Sequence, residues 1–196
     1  HTIVQLHAGR RDAYLDAGLE HVRHALELDP EEPVAHLALG MLLALRGESE
    51  PSVAAARRAV ELAPGSADLR LWFGCLLQLA HRAEEAIPVL KNLTRLDPAL
   101  RYMAFFQLAL CYQDLGRIDE AIAKHRESLQ ANPDFYWAHV TLTVIYAQLG
   151  ELNQARASLA EALRLRPTFS IDQIPRLPYG RRSAWVENLR KAGLSE

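Results

Sequence analysis

The sequence is short of the residues that mark several protein classes. Only two of its 196 residues are cysteine, Cys75 and Cys111, in unrelated local contexts. That excludes a disulfide framework and points to a reducing compartment, the cytoplasm. Lysine is scarce, three against 19 arginines, and the formal net charge is −2. Without a strong positive field, neither nucleic acid nor a membrane surface is an expected partner. No apolar run approaches the roughly 18 residues of a membrane span, and no signal peptide opens the chain. A Walker loop, GxGxxG, GxSxG, HExxH and CxxC are all missing, so no catalytic residue, metal or cofactor is assigned and the chain is not expected to be an enzyme.

What is present is a hydrophobic share of 49%, enough for a sizeable core or an extended array. The sequence also repeats. Pro30, Pro64, Pro98, Pro133 and Pro167 follow one another at intervals of 34, 34, 35 and 34 residues, each closing a similar phrase: ELDP, ELAP, RLDP, QANP, RLRP. Between the prolines, large apolar columns (Leu39/Phe73/Leu108/Leu142 and Leu43/Leu77/Tyr112/Tyr146) alternate with small ones (Gly40/Gly74/Ala109/Thr143 and Ser52/Ala86/Ala121/Ala155). Small residues let two antiparallel helices approach closely while large ones interlock across the gap. Gly47, Gly116 and Gly150 fall where the first helix of a pair should end in a left-handed residue, a place His81 takes in the second repeat. Ser66 and Asp134 are expected helix N-caps, and Pro88, about five residues into a helix, is expected to kink it by removing the bond to the Glu84 carbonyl.

These columns fit the 34-residue pattern W-x₂-L-G-x₂-Y…A-x₃-F…P, and the chain resembles the tetratricopeptide repeat family. The resemblance implies an all-α fold, a right-handed superhelix, or α-solenoid, of helix-turn-helix repeats. Residues 33–167 are expected to form four full repeats. Residues 1–32 read as a partial N-terminal repeat, with 12–28 a long helix and 2–10 the remnant of its partner. Residues 168–196 read as an extended linker and a short C-terminal helix. The sequence departs from the pattern in its opening aromatic column, which reads His36, Arg70, Phe105, His139, and in its later one, Ala56, Leu90, His125, Leu159.

In the family's geometry the first helix of each pair lines the concave surface. The resemblance therefore assigns Val34, Leu37, Met41 and Leu45, then Leu71, Trp72, Cys75 and Gln78, then Met103, Phe106, Leu110 and Gln113, and finally Trp137, Val140 and Val144 to the groove. Nearly all are apolar. Relatives that grip an acidic chaperone terminus present lysines and asparagines there, and sugar-transferase repeats an asparagine ladder; neither is found. Such a groove would expose roughly 500 Å², at the limit for a monomer. The expected partner is a protein or peptide with an apolar or amphipathic segment, or a second copy in a homodimer. The chain's own tail is a further occupant, through Phe169, Ile171, Ile174, Leu177 and Tyr179, unless the groove residues simply bury one another.

The histidines offer no better reading. His21 and His24 share a helix face at i, i+3 but lack a complete ligand set, and His36 and His139 read as packed, hydrogen-bonded residues. The ending NLRKAGLSE resembles the close of bacterial signalling proteins in which a class III adenylate/guanylate cyclase-type domain precedes such repeats. That resemblance, and a start at His1 inside repeat-like sequence, imply a fragment of a longer protein whose catalytic domain lies elsewhere.

Overall fold

The computed structural model describes residues 2–171 and 182–194, which form ten helices and no strand. The chain is all-α and divides into two compact units, His1–Leu96 and Asp97–Glu196. The first holds α1 (Thr2–Leu28), α2 (Pro33–Arg46), α3 (Ser49–Leu62), α4 (Ala67–Leu79) and α5 (Ala83–Leu96). The second holds α6 (Arg101–Asp114), α7 (Ile118–Ala131), α8 (Tyr136–Gln148), α9 (Leu152–Leu165) and α10 (Arg182–Ala192). The pairs α2/α3, α4/α5, α6/α7 and α8/α9 pack as helix-turn-helix hairpins.

The turn inside each hairpin is written in the backbone. Gly47, Gly116 and Gly150 have φ of 82°, 72° and 79°, and His81 occupies the same left-handed place at 60°. Just after each, an N–H reaches back five residues: Glu48 to Leu43, Arg82 to Leu77, Arg117 to Tyr112 and Glu151 to Tyr146. This is the bond that closes a left-handed helix end. Between hairpins, Asp29, Asp97 and Asn132 each accept from the N–H two residues on (Glu31, Ala99 and Asp134), making the turn that Pro30, Pro98 and Pro133 enter. The departures from the opening aromatic column serve the same turn. His36 and His139 donate from Nε2 to the carbonyls of Pro30 and Pro133 at 2.9 and 3.0 Å, and the Arg70 guanidinium donates to that of Pro64.

The small columns are places of close approach. A Cβ on Gly40 would lie 2.9 Å from the Ser52 carbonyl oxygen, and one on Gly74 would lie 2.6 Å from a methyl of the fully buried Leu90. Gly18 of α1, 34 residues before Ser52, extends this spacing one repeat upstream and faces Leu42.

Two local expectations change. Residues 2–10 are not a separate partner helix, since α1 runs unbroken from Thr2 to Leu28. Ser66 caps α4, its Oγ accepting from the Leu69 N–H at 3.3 Å, but Asp134 does not cap α8. Phe135 holds the cap position without a side-chain bond, while Asp134 accepts from Arg164 at 3.4 Å. Pro88 lies inside α5 and is exposed, as is Glu84, so solvent can take the carbonyl the proline leaves without a helical partner.

Candidate functional site

The residues assigned to the groove stand one turn apart on the first helices, and the two units are taken separately. In the first, Val34 of α2 is 64% exposed, Leu45 45% and Trp72 of α4 38%, with Met41 half-buried between them in the sequence of α2. Leu37, Leu71, Cys75 and Gln78 are buried. α2 packs against α4, so part of the first-helix surface is taken up between neighbouring helices.

In the second unit, Phe106 and Leu110 of α6 are buried in a cluster with Ala138, flanked by Leu129, Phe135 and Trp137. The Phe135 ring stands edge-on to both Phe106 and Tyr102, with centroids 5.1 and 4.9 Å apart. Met103, Gln113 and Trp137 are half-buried. Val140 and Val144 of α8 share one buried core with the tail residues Phe169, Ile171, Leu189, Ala192 and Leu194. The Phe169 ring meets Tyr136 edge-on at 5.3 Å. Ile174, Leu177 and Tyr179 lie outside the described residues. Eight of the fifteen groove residues are thus buried. The open surface is correspondingly smaller than the sequence-based estimate, and its most exposed parts are Val34, Leu45 and Trp72.

Titratable groups near these faces are placed for packing. His125 of α7 is fully buried against Phe106, and its Nε2 donates to the Gln113 amide oxygen at 3.3 Å. Its Nδ1 has no partner, and burial lowers its pKa to about 3, so the ring is neutral. Burial likewise pushes the Cys111 thiol up to about 12, an unreactive state. The buried Tyr136 hydroxyl lacks a partner and its pKa is raised by burial. Among the described residues no three His, Cys, Asp or Glu side chains gather where they could hold a metal ion. His21 Nδ1 lies 2.6 Å from the Ala17 carbonyl and His24 Nδ1 3.2 Å from Glu27. No described helix is long and apolar enough to cross a membrane.

A run of large apolar side chains at helix spacing, with hairpins closed by left-handed residues every 34 or 35 positions, is a repeat signature, and the comparisons agree. Residues 112–171 match the tetratricopeptide repeat family. The matched tetratricopeptide stretch ends at Ile171, where the tail begins to pack on α8. No curated protein sequence matches the chain. Among solved structures, PilW, described as a widely conserved type IV pilus biogenesis factor, is similar at a TM-score of 0.72 and 20% identity, covering 93% of this chain and 83% of that one. MamA from Desulfovibrio magneticus RS-1 gives 0.64 at 17% identity over 85% of this chain and 93% of its own. YrrB, described as a TPR protein with an unusual peptide-binding site, gives 0.56 at 22% identity over 81% of each chain. At such identities the likeness establishes the fold.

Proposed function

We propose that this chain is a non-catalytic protein-interaction module whose first-helix faces bind an apolar or amphipathic segment of another protein. The observation that carries the reading is the exposure of Val34, Leu45 and Trp72 on α2 and α4, large apolar side chains that a soluble surface gains nothing by presenting. An exposed tryptophan is a common anchor of such an interface. The peptide-binding site named for YrrB lends support by analogy of fold. Residues 33–167 serve as four repeats, with 1–32 a partial repeat and 168–196 the closing segment. The cytoplasmic and bacterial signalling setting rests on the scarcity of cysteine and the NLRKAGLSE ending.

The second reading is self-association, with a second copy seated on the same face. Affinity capture with the wild-type chain, Val34→Asp and Trp72→Asp separates the two when combined with light scattering. These exposed positions tolerate substitution where Phe106 and Val140 would not. The proposal expects a monomer that captures a specific protein, lost in both variants with circular dichroism unchanged. A concentration-dependent dimer disrupted by the same substitutions supports self-association instead. Partners indifferent to both substitutions, with no dimer, contradict both.

A further inference from the structure

α10 does not extend the repeat. Of the hairpin that precedes it, α4 packs more on the second helix, α3, than on the first, α2, and in the second unit α8 packs on α7, the second helix of its preceding hairpin. α10 instead packs chiefly on α8 and less on α9, so it lies against a first helix. It is held along one stripe: Leu189, Ala192 and Leu194 are buried with Asn188, Trp185 and Val186 are half-buried, and Glu187, Arg190 and Lys191 are exposed. The buried aliphatic groups share a core with Val140 and Val144 of α8, the columns that in α2 are Leu37 and Met41. A short amphipathic helix is therefore already docked on the kind of face assigned above to partner binding.

We infer that the inner face of α8 is a helix-binding site and that α10 is its resident occupant, an internal ligand displaced by a partner's amphipathic helix. The inference rests on the proposed function of the first-helix faces. The seated helix defines the chemistry of its competitor: one apolar stripe, spaced as Val186, Leu189 and Ala192, under a charged outer face. Val140 and Val144 are small, so the face accepts aliphatic rather than aromatic anchors at its centre, with Trp137 and Trp185 at the margin. A tethered helix acts at an effective concentration of roughly millimolar. A free helix of the same sequence is thus excluded from the wild-type chain and admitted once α10 is loosened.

The test uses the full chain and a fluorescein-labelled peptide of residues 182–194. Leu189→Asp and the milder Leu189→Ala loosen α10, with hydrogen exchange reporting whether α8 and α9 stay protected. The inference expects the peptide to bind Leu189→Asp at least tenfold more tightly than wild type, with Leu189→Ala between, while α8 and α9 remain protected. Two results overturn it. Loss of α8 and α9 protection in both variants makes α10 a structural cap, and protected helices with no saturable peptide binding mean that the α8 face is not a helix site. Val34→Asp, on the other unit, leaves this peptide binding unchanged whatever it does to partner capture, so failure here and failure of the proposed function are told apart.

Discussion

Gly40 is a helical glycine, where intrinsic propensity favours alanine by about 1 kcal/mol. Its space argues the other way, because an added Cβ would lie 2.9 Å from a backbone oxygen of α3 that cannot rotate aside. Packing should win, so Gly40→Ala is expected to destabilise by roughly 1–3 kcal/mol in urea denaturation. A stabilised variant would show the hairpin to be looser than described. His81 is the converse case, a side chain held at φ 60° where the other three hairpins use glycine. His81→Gly should raise stability by about 1 kcal/mol, since the left-handed conformation costs a side-chain-bearing residue about that much; an unchanged unfolding midpoint would count against it. The glycine columns and the His81 exception were both legible in the sequence, because a left-handed helix end and a close approach each demand a particular residue type. The bonds from His36, Arg70 and His139 to the proline carbonyls were not, since a column of unlike residues hides their shared role.

His125 carries a pH dependence. Its folded pKa of about 3 lies below the ordinary 6.5, so between these values the unfolded chain holds a proton that the folded chain refuses. Stability from this site is therefore full above pH 6.5 and falls as pH drops through the window, by about 1.4 kcal/mol per unit. His125→Leu, the residue its column holds at 90 and 159, should remove that contribution and leave a shallower loss between pH 6.5 and 5 in urea midpoints. Identical slopes in the two proteins would mean that the imidazole is not sealed from solvent.

Among the elements, α5 offers the cleanest test of local physics. Pro88 removes one bond from inside a continuous helix and sits exposed, so Pro88→Ala restores the N–H to the Glu84 carbonyl without disturbing the core. It should stabilise by on the order of 1–3 kcal/mol, read as a raised melting temperature; a lowered one would show that the helix needs its proline. The same scale shows where sequence reasoning stops. Ser66 and Asp134 look alike as caps, yet only Ser66 bonds its helix, because Arg164 engages the Asp134 carboxylate. A partner 30 residues away in the chain leaves no local mark. The repeat pattern predicts a separate partner helix over residues 2–10, but α1 continues through Gly9 without a turn.

At the scale of the molecule, all-helical hairpins at a fixed period follow from the periodicity and small-residue columns. The extent of the open face does not. Leu37, Leu71 and Val140 carry the same apolar pattern as Val34, but they fall between packed helices, and burial at that boundary depends on how neighbouring repeats lean together. The fold-back of Phe169 and Ile171 was foreseeable as one of several occupants, and the two residues are indeed in the α8 core. What the account claims of the whole is that the open part of the α2 and α4 face touches another protein. A photoreactive benzoylphenylalanine in place of Trp72, activated in lysate of the source cells, addresses this directly. The account predicts one cross-linked partner, bonded through an apolar or amphipathic segment and lost when Val34→Asp is added. Only self-adducts, scattered background, or a cross-link that Val34→Asp leaves intact would contradict it.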